Sequence, residues 1–216
     1  DVNGTSADHV VFTAHGSSPA TSSFDKVYTA GTSTIDYADF TYGHIGLELQ
    51  DASTVSYCTF EDNNVYGLYL NNADSCVLDH LTVQNNRDLG VRVSSATGVT
   101  VTYLDVLSNT GSGMLATSSG GTLTDCTFQD NGDTGLVLEN TSFDLDHCAF
   151  LYNGGAGVSY VGNCQGSATY TNIKYNDLPG VLAESTSTYP TPSLSYSNIY
   201  GNSVVASVEM LTEDPS

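Results

Sequence analysis

Residues Leu123-Thr-Asp-Cys-Thr-Phe-Gln-Asp-Asn131 are followed by Gly135-Leu136, and 22 residues on the same pattern returns as Leu145-Asp-His-Cys-Ala-Phe-Leu-Tyr-Asn153 with Gly157-Val158. Aligned on Phe128 and Phe150, the pattern extends in both directions to Phe40, Phe60, Val83, Val106, Ile173 and Ile199. Successive spacings are 20, 23, 23, 22, 22, 23 and 26 residues. Five before each anchor stand Ile35, Val55, Leu78, Val101, Leu123, Leu145, Ala168 and Leu194. Two before lie Ala38, Cys58, Leu81, Leu104, Cys126, Cys148, Thr171 and Ser197. Seven after come Gly67, Gly90, Gly113, Gly135, Gly157, Gly180 and then Ala206, with Gly46 six after the first anchor. An aliphatic residue follows most of these glycines.

Each repeat thus offers three short apolar stretches and no stripe at helical spacing. Strands this short must stack on copies of themselves one repeat away, in parallel pairs about 4.8 Å apart. The sequence therefore predicts an all-β parallel β-helix of about eight coils of 22–23 residues over 34–210. Residues 1–33 lack the repeat and are expected to form an irregular first coil or cap, with strands at Val10–Phe12 and Val27–Tyr28. The hydroxyl- and proline-rich run 184–193 interrupts one coil, and 211–216 reads as a tail or linker. The glycines mark a turn that needs either positive φ or close backbone approach.

Three residues after seven anchors stand Asn63, Asn86, Asn109, Asn131, Asn153, Asn176 and Asn202. One position held by Asn through successive coils implies a ladder in which each amide donates to and accepts from its neighbours. That ladder is structural rather than a row of ligands.

The repeated Cys/Leu-x-Phe-x-x-Asn with a following Gly-Leu resembles the right-handed parallel β-helix repeat of the pectate-lyase-like superfamily, over roughly 34–210. The resemblance implies the fold and little about function, because that superfamily holds lyases, glycosidases, epimerases, adhesins and phage fibres. Its lyases use a basic residue with calcium held on clustered acids. Its glycosidases use grouped carboxylates beside a His and an Arg-Lys pair. No Asn-Thr-Asp, Gly-His-Gly or Arg-x-Lys motif occurs here, and the coils are close to minimal, without the long loops that wall a cleft. Paired acids such as Glu61 with Asp62, or Asp36 with Asp39, are the carboxylates an enzyme would use.

Charge narrows the partners. The chain has 24 acidic and 4 basic residues, a formal charge of -20, yet only 13 % of residues are charged. Lys26, Arg87, Arg92 and Lys174 are too few to neutralise a phosphate backbone, which excludes nucleic acid. Polyanionic glycans would need bridging divalent cations. Neutral glycans, cations and protein surfaces remain open. No stretch approaches the ~20 apolar residues of a membrane span, so no membrane insertion is expected. No cofactor is expected, beyond weak Ca²⁺ association with the acidic surface. Few Lys, many Ser, Thr and Tyr, and a first residue other than Met fit a processed, exported chain or a piece of a longer one, at the cell surface or outside it. Asn3 and Asn140 lie in glycosylation sequons.

Three residues before the anchors runs a second column: Tyr37, Tyr57, His80, Tyr103, Asp125, His147, Tyr170 and Tyr196. Its rings either offer an aromatic stripe for sugars or another protein, or stack on each other to stabilise one edge. The ring-bearing members are the candidate binding residues. Asp79-His80 and Asp146-His147 place a carboxylate beside an imidazole, but no nucleophile accompanies either pair, and three coils separate the two histidines, too far to share a metal. Cys126 and Cys148 fall in one inward slot of adjacent coils, within disulfide reach but with the strain of directly stacked parallel strands. The sequence-level expectation is a non-catalytic, exported structural, adhesive or filament-forming module that stacks end to end. The alternative is a polysaccharide-acting enzyme or a glycan-binding module using the Tyr/His column.

Overall fold

The computed structural model describes residues 1–14, 24–184 and 193–203. The described residues contain strands, turns and bends but no helix, and the strands pair in parallel. One coil shows the plan. Val77–Gln84 runs along the first face, bends at His80 and continues along the second; after the corner at Asn85, Leu89–Ser94 forms the third face. The first two faces join into a 16-stranded sheet, and the third is an 8-stranded sheet running from Phe24–Thr29 to Val181–Glu184. Eight rungs stand on that third face, seven steps apart from first to last. Val2–Asn3, Val10–Phe12 and Phe24–Thr29, all from the segment before residue 34, pair in parallel with the next coil, with a register shift between Lys26 and Val27. The interruption at 184–193 lies largely outside the described residues; Ala206 and the tail 211–216 lie wholly outside them.

The apolar columns of the sequence are the interior of the solenoid. Phe40 pairs with Phe60, Val83 with Val106, Phe128 with Phe150, and Ile173 with Ile199, all in register and all buried. Phe12, Phe40 and Phe60 stack face to face at 4.9 and 5.0 Å. Like lies on like because parallel pairing without a shift leaves each inward side chain over its counterpart one coil away.

At the second corner the asparagines form the ladder. Asn86 Nδ2 donates to Asn109 Oδ1 at 2.9 Å, and the Asn86 backbone N–H donates to that same oxygen at 3.0 Å. The second Nδ2 proton goes to the Phe60 carbonyl at 3.2 Å. The arrangement repeats from Asn63 to Asn176 and closes on Asn202, whose Nδ2 donates to the Ile173 carbonyl. Gly43 holds the first rung and donates its N–H to Asn63 Oδ1. Each amide is buried, so leaving one unpaired costs about 1–3 kcal/mol.

The glycines serve close approach rather than positive φ. A Cβ on Gly113 would stand 2.6 Å from the Gly135 carbonyl oxygen and 2.9 Å from Asn131 Nδ2. The positive-φ positions are instead the corners: Tyr37 through Tyr196 at the first, the residue before each ladder Asn at the second, and Asn72, Ser95, Ser118 and Asn140 at the third.

The five cysteines are buried free thiols, so Cys126 and Cys148 are not bridged. They sit inward on adjacent rungs, where Cys126 Sγ donates to the Thr124 carbonyl at 3.3 Å and Cys148 Sγ to the Leu123 carbonyl at 3.4 Å. Asn3 and Asn140 are both exposed, and Asn140 Oδ1 accepts the Asn163 N–H at 3.1 Å.

Replacing Asn131 by Ala removes four ladder hydrogen bonds and is expected to cost about 3 kcal/mol in urea unfolding. Gly31→Ala, where a Cβ meets nothing within 4 Å, is expected to shift stability by less than ~0.5 kcal/mol. Equal effects of the two would remove the ladder from the list of what holds the coil closed.

Candidate functional site

The Tyr/His column occupies the first corner, one residue per coil, with φ between 50° and 54°. Left-handed backbone at a single residue turns the strand and throws its side chain outward, at a cost of about 1–3 kcal/mol for a residue other than Gly. Ring stacking offsets part of that cost. Tyr37 and Tyr57 lie 4.8 Å apart, Tyr57 and His80 4.8 Å, and His80 and Tyr103 4.5 Å. On the far side, His147 and Tyr170 stack at 4.8 Å, and Tyr170 and Tyr196 at 5.2 Å. The rings therefore spend their faces on each other. What they offer solvent is a row of rims carrying hydroxyls and imidazole nitrogens; Tyr103 is 51 % exposed and Tyr170 50 %.

The row is broken once. Asp125 takes the place of a ring, so the far face of Tyr103 and the near face of His147 carry no stacked neighbour. Beside the break lies an open depression of about 330 Å³, lined by His80, Leu81, Thr82, Tyr103, Asp105 and Asp125. The column thus presents two surfaces of different character: rims along its length, and ring faces only at the break.

The two imidazoles sit in matching surroundings. His80 Nδ1 is 2.8 Å from Asp79 Oδ2, and His147 Nδ1 is 3.0 Å from Asp146 Oδ1. A carboxylate only accepts, so each Nδ1 carries the proton and Nε2 faces outward as an acceptor in the neutral ring. One coil on, Thr102 donates to Asp79 and Thr169 donates to Asp146 at 2.8 Å. Burial works against ionisation of Asp79, yet the Thr102 and His80 hydrogen bonds hold its carboxyl below the ordinary range; Thr169 and then His147 do the same for Asp146.

None of the four basic side chains joins this corner. Lys26 donates to Glu48 at 2.5 Å on the third face, Arg92 donates to Thr117 there, and Lys174 lies over the Tyr200 ring; Arg87 follows the second-corner ladder residue Asn86. Nor do the sequence's paired acids face each other across a cleft. Glu61 accepts from Gln84 and Asn85, Asp36 from Ser56, and Asp39 pairs with His9 at 3.0 Å. Among the described residues no three His, Cys, Asp or Glu side chains gather around one point that could hold a metal ion. A second ring cluster escaped the sequence reading: Tyr152 stacks on Tyr175 at 5.2 Å, with Tyr200 edge-on to Tyr175. Its signal was a Tyr immediately before the ladder Asn in two successive coils, Tyr152 and Tyr175, and one residue earlier in the next, Tyr200.

Residues 26–173 match the model of the family described as right handed beta helix region. The chain belongs to that family. No curated protein matches it in sequence. Among solved structures it is similar to the periplasmic alginate epimerase AlgG, with 16 % identity and a TM-score of 0.65 over 81 % of this chain and 48 % of that one. The A-module of the Azotobacter vinelandii mannuronan C-5 epimerase AlgE4 gives 20 % identity and 0.57, over 78 % of this chain and 53 % of that one. Pectate lyase Pel9A gives 10 % and 0.50, over 90 % and 69 %. At such identities the likeness is one of fold, and the chain spans about half the length of the two epimerase structures.

Stability owed to Asp146 is present above its unfolded-state pKa and is lost as pH falls through its lower native value. Thr169→Val is expected to move the Asp146 carboxyl midpoint up toward the ordinary carboxylate value, read by ¹³C NMR. An unmoved midpoint would show that the Thr169 hydroxyl does not hold it.

Proposed function

We propose that this chain binds a polysaccharide along its first corner, outside the cytoplasm. The observation that carries the reading is the row of half-exposed Tyr and His rims repeating at one coil. The coil rise of about 4.8 Å is close to the advance of one pyranose unit in an extended chain, so successive sugars meet equivalent hydroxyls and Nε2 acceptors. The β-helix proteins similar to it include an alginate epimerase and a pectate lyase, which favours a glycan over the structural, adhesive or filament-forming role. The periplasmic setting of AlgG agrees with a site outside the cytoplasm.

Charge selects among glycans. A corner that carries Asp79, Asp105, Asp125 and Asp146 and no basic side chain repels a polyuronate unless divalent cations bridge the two. Neutral chains meet no such penalty.

An enzymatic reading rests on one feature, the Asp79-oriented His80 beside Tyr103 and the depression. His80 Nε2 is the available general base there.

Titration of a panel of neutral glycans, and of polyuronates with and without calcium, tests both. Tyr170→Phe keeps the stack and removes one hydroxyl, and is expected to weaken binding about three- to tenfold. Absence of binding across the panel would sink the proposal. Released or altered product, lost in His80→Gln, would establish the enzymatic reading.

A further inference from the structure

The break in the column has a definite size. Tyr103 and His147 are two coils apart, so their rings are separated by about twice the ~4.8 Å rise, which leaves room for one further ring at the spacing the rest of the stack uses. The corner backbone at Asp125 has φ 54°, beside the 50° to 53° of the ring-bearing positions, so the rung is of the same shape and lacks only its ring. Both flanking faces are aromatic, and a carboxylate stands at the rung itself.

That carboxylate is uncompensated. Asp125 and Asp105 are exposed, and neither has a side-chain hydrogen bond or ion pair among the described residues. The neighbouring Asp79 and Asp146 are already engaged by Thr and His. No Lys or Arg stands near enough to pair with Asp125, and the whole chain carries -20.

Resting on the glycan reading above, we propose that the missing rung at Asp125 is a single-ring slot for a protonated amino-sugar residue, clamped between Tyr103 and His147 with its ammonium on Asp125 and Asp105. A ring seated there stacks its C–H faces on two aromatic faces that otherwise lie in water. An ammonium beside the Tyr103 ring gains from the ring's negative face as well as from the carboxylates. A uronate in the same place would set like charges together, and an N-acetylated sugar would bring no charge to answer Asp125.

The test uses the intact chain and three oligomers of equal length: glucosamine, N-acetylglucosamine and mannuronate. Calorimetry is expected to rank glucosamine first, with Asp125→Asn weakening it by about tenfold or more. Asp177→Asn, which removes an equal charge at the exposed second-corner turn, is expected to change it less than twofold. Asp125→Tyr supplies the missing ring at a backbone geometry that Tyr already occupies at five other rungs, so it is expected to fold and to abolish slot binding. Equal loss in Asp125→Asn and Asp177→Asn would reduce the effect to general charge attraction and overturn the slot. An oligolysine held with the same Asp125 dependence as glucosamine would overturn its being a sugar site. Glycan binding that responds to Tyr170→Phe but not to either Asp125 variant would leave the rim reading standing and remove the slot alone.

Discussion

A buried primary amide needs acceptors for two protons and donors for its oxygen, and in this chain it finds nearly all of them one coil away. Asn86, Asn109 and Asn131 each satisfy the rung beneath and are satisfied by the rung above, so none can be placed until its neighbour is. This coupling fixes the second corner of each coil and with it the register of all three faces. The glycines that open the third face follow from the same closeness: the ladder brings carbonyls such as that of Gly135 to where a Cβ on Gly113 would sit. The Phe stacks, the aliphatic columns and the row of corner rings are consequences of one unshifted rise.

The fold was legible because a solenoid writes its packing into the sequence period. Ile35, Val55, Leu78, Val101, Leu123, Leu145, Ala168 and Leu194 are a column in the sequence and a ladder in space, since inter-coil register equals sequence spacing. Asparagine three residues past the anchor was equally plain. Backbone sign was not legible. Tyr is no habitual left-handed residue, so nothing in the letters says that Tyr57 and Tyr103 sit at φ near 52°, nor that the recurrent glycines do not. Burial of the cysteines could be read from their slot. The absence of a Cys126–Cys148 bridge depends on side-chain approach, which spacing does not encode.

For the candidate site, the sequence located the column of rings and left open what it does. The rings stack on one another, and by doing so they withdraw their faces from any ligand. Only geometry shows this, because a list of aromatic residues does not distinguish a rim from a face. It also reverses the importance of the members. Asp125 is the column member without a ring; with the faces spent elsewhere, it marks the one place within the column where two unstacked ring faces look at each other across a single rung.

The most direct measurement of this account is a map of amide chemical-shift changes in the isotope-labelled chain during titration with a glucosamine oligomer. The largest changes are expected at the first corner, centred on Tyr103, Asp125 and His147 and fading toward Tyr196. Changes centred on the third face, or spread evenly over the acidic surface, would contradict it.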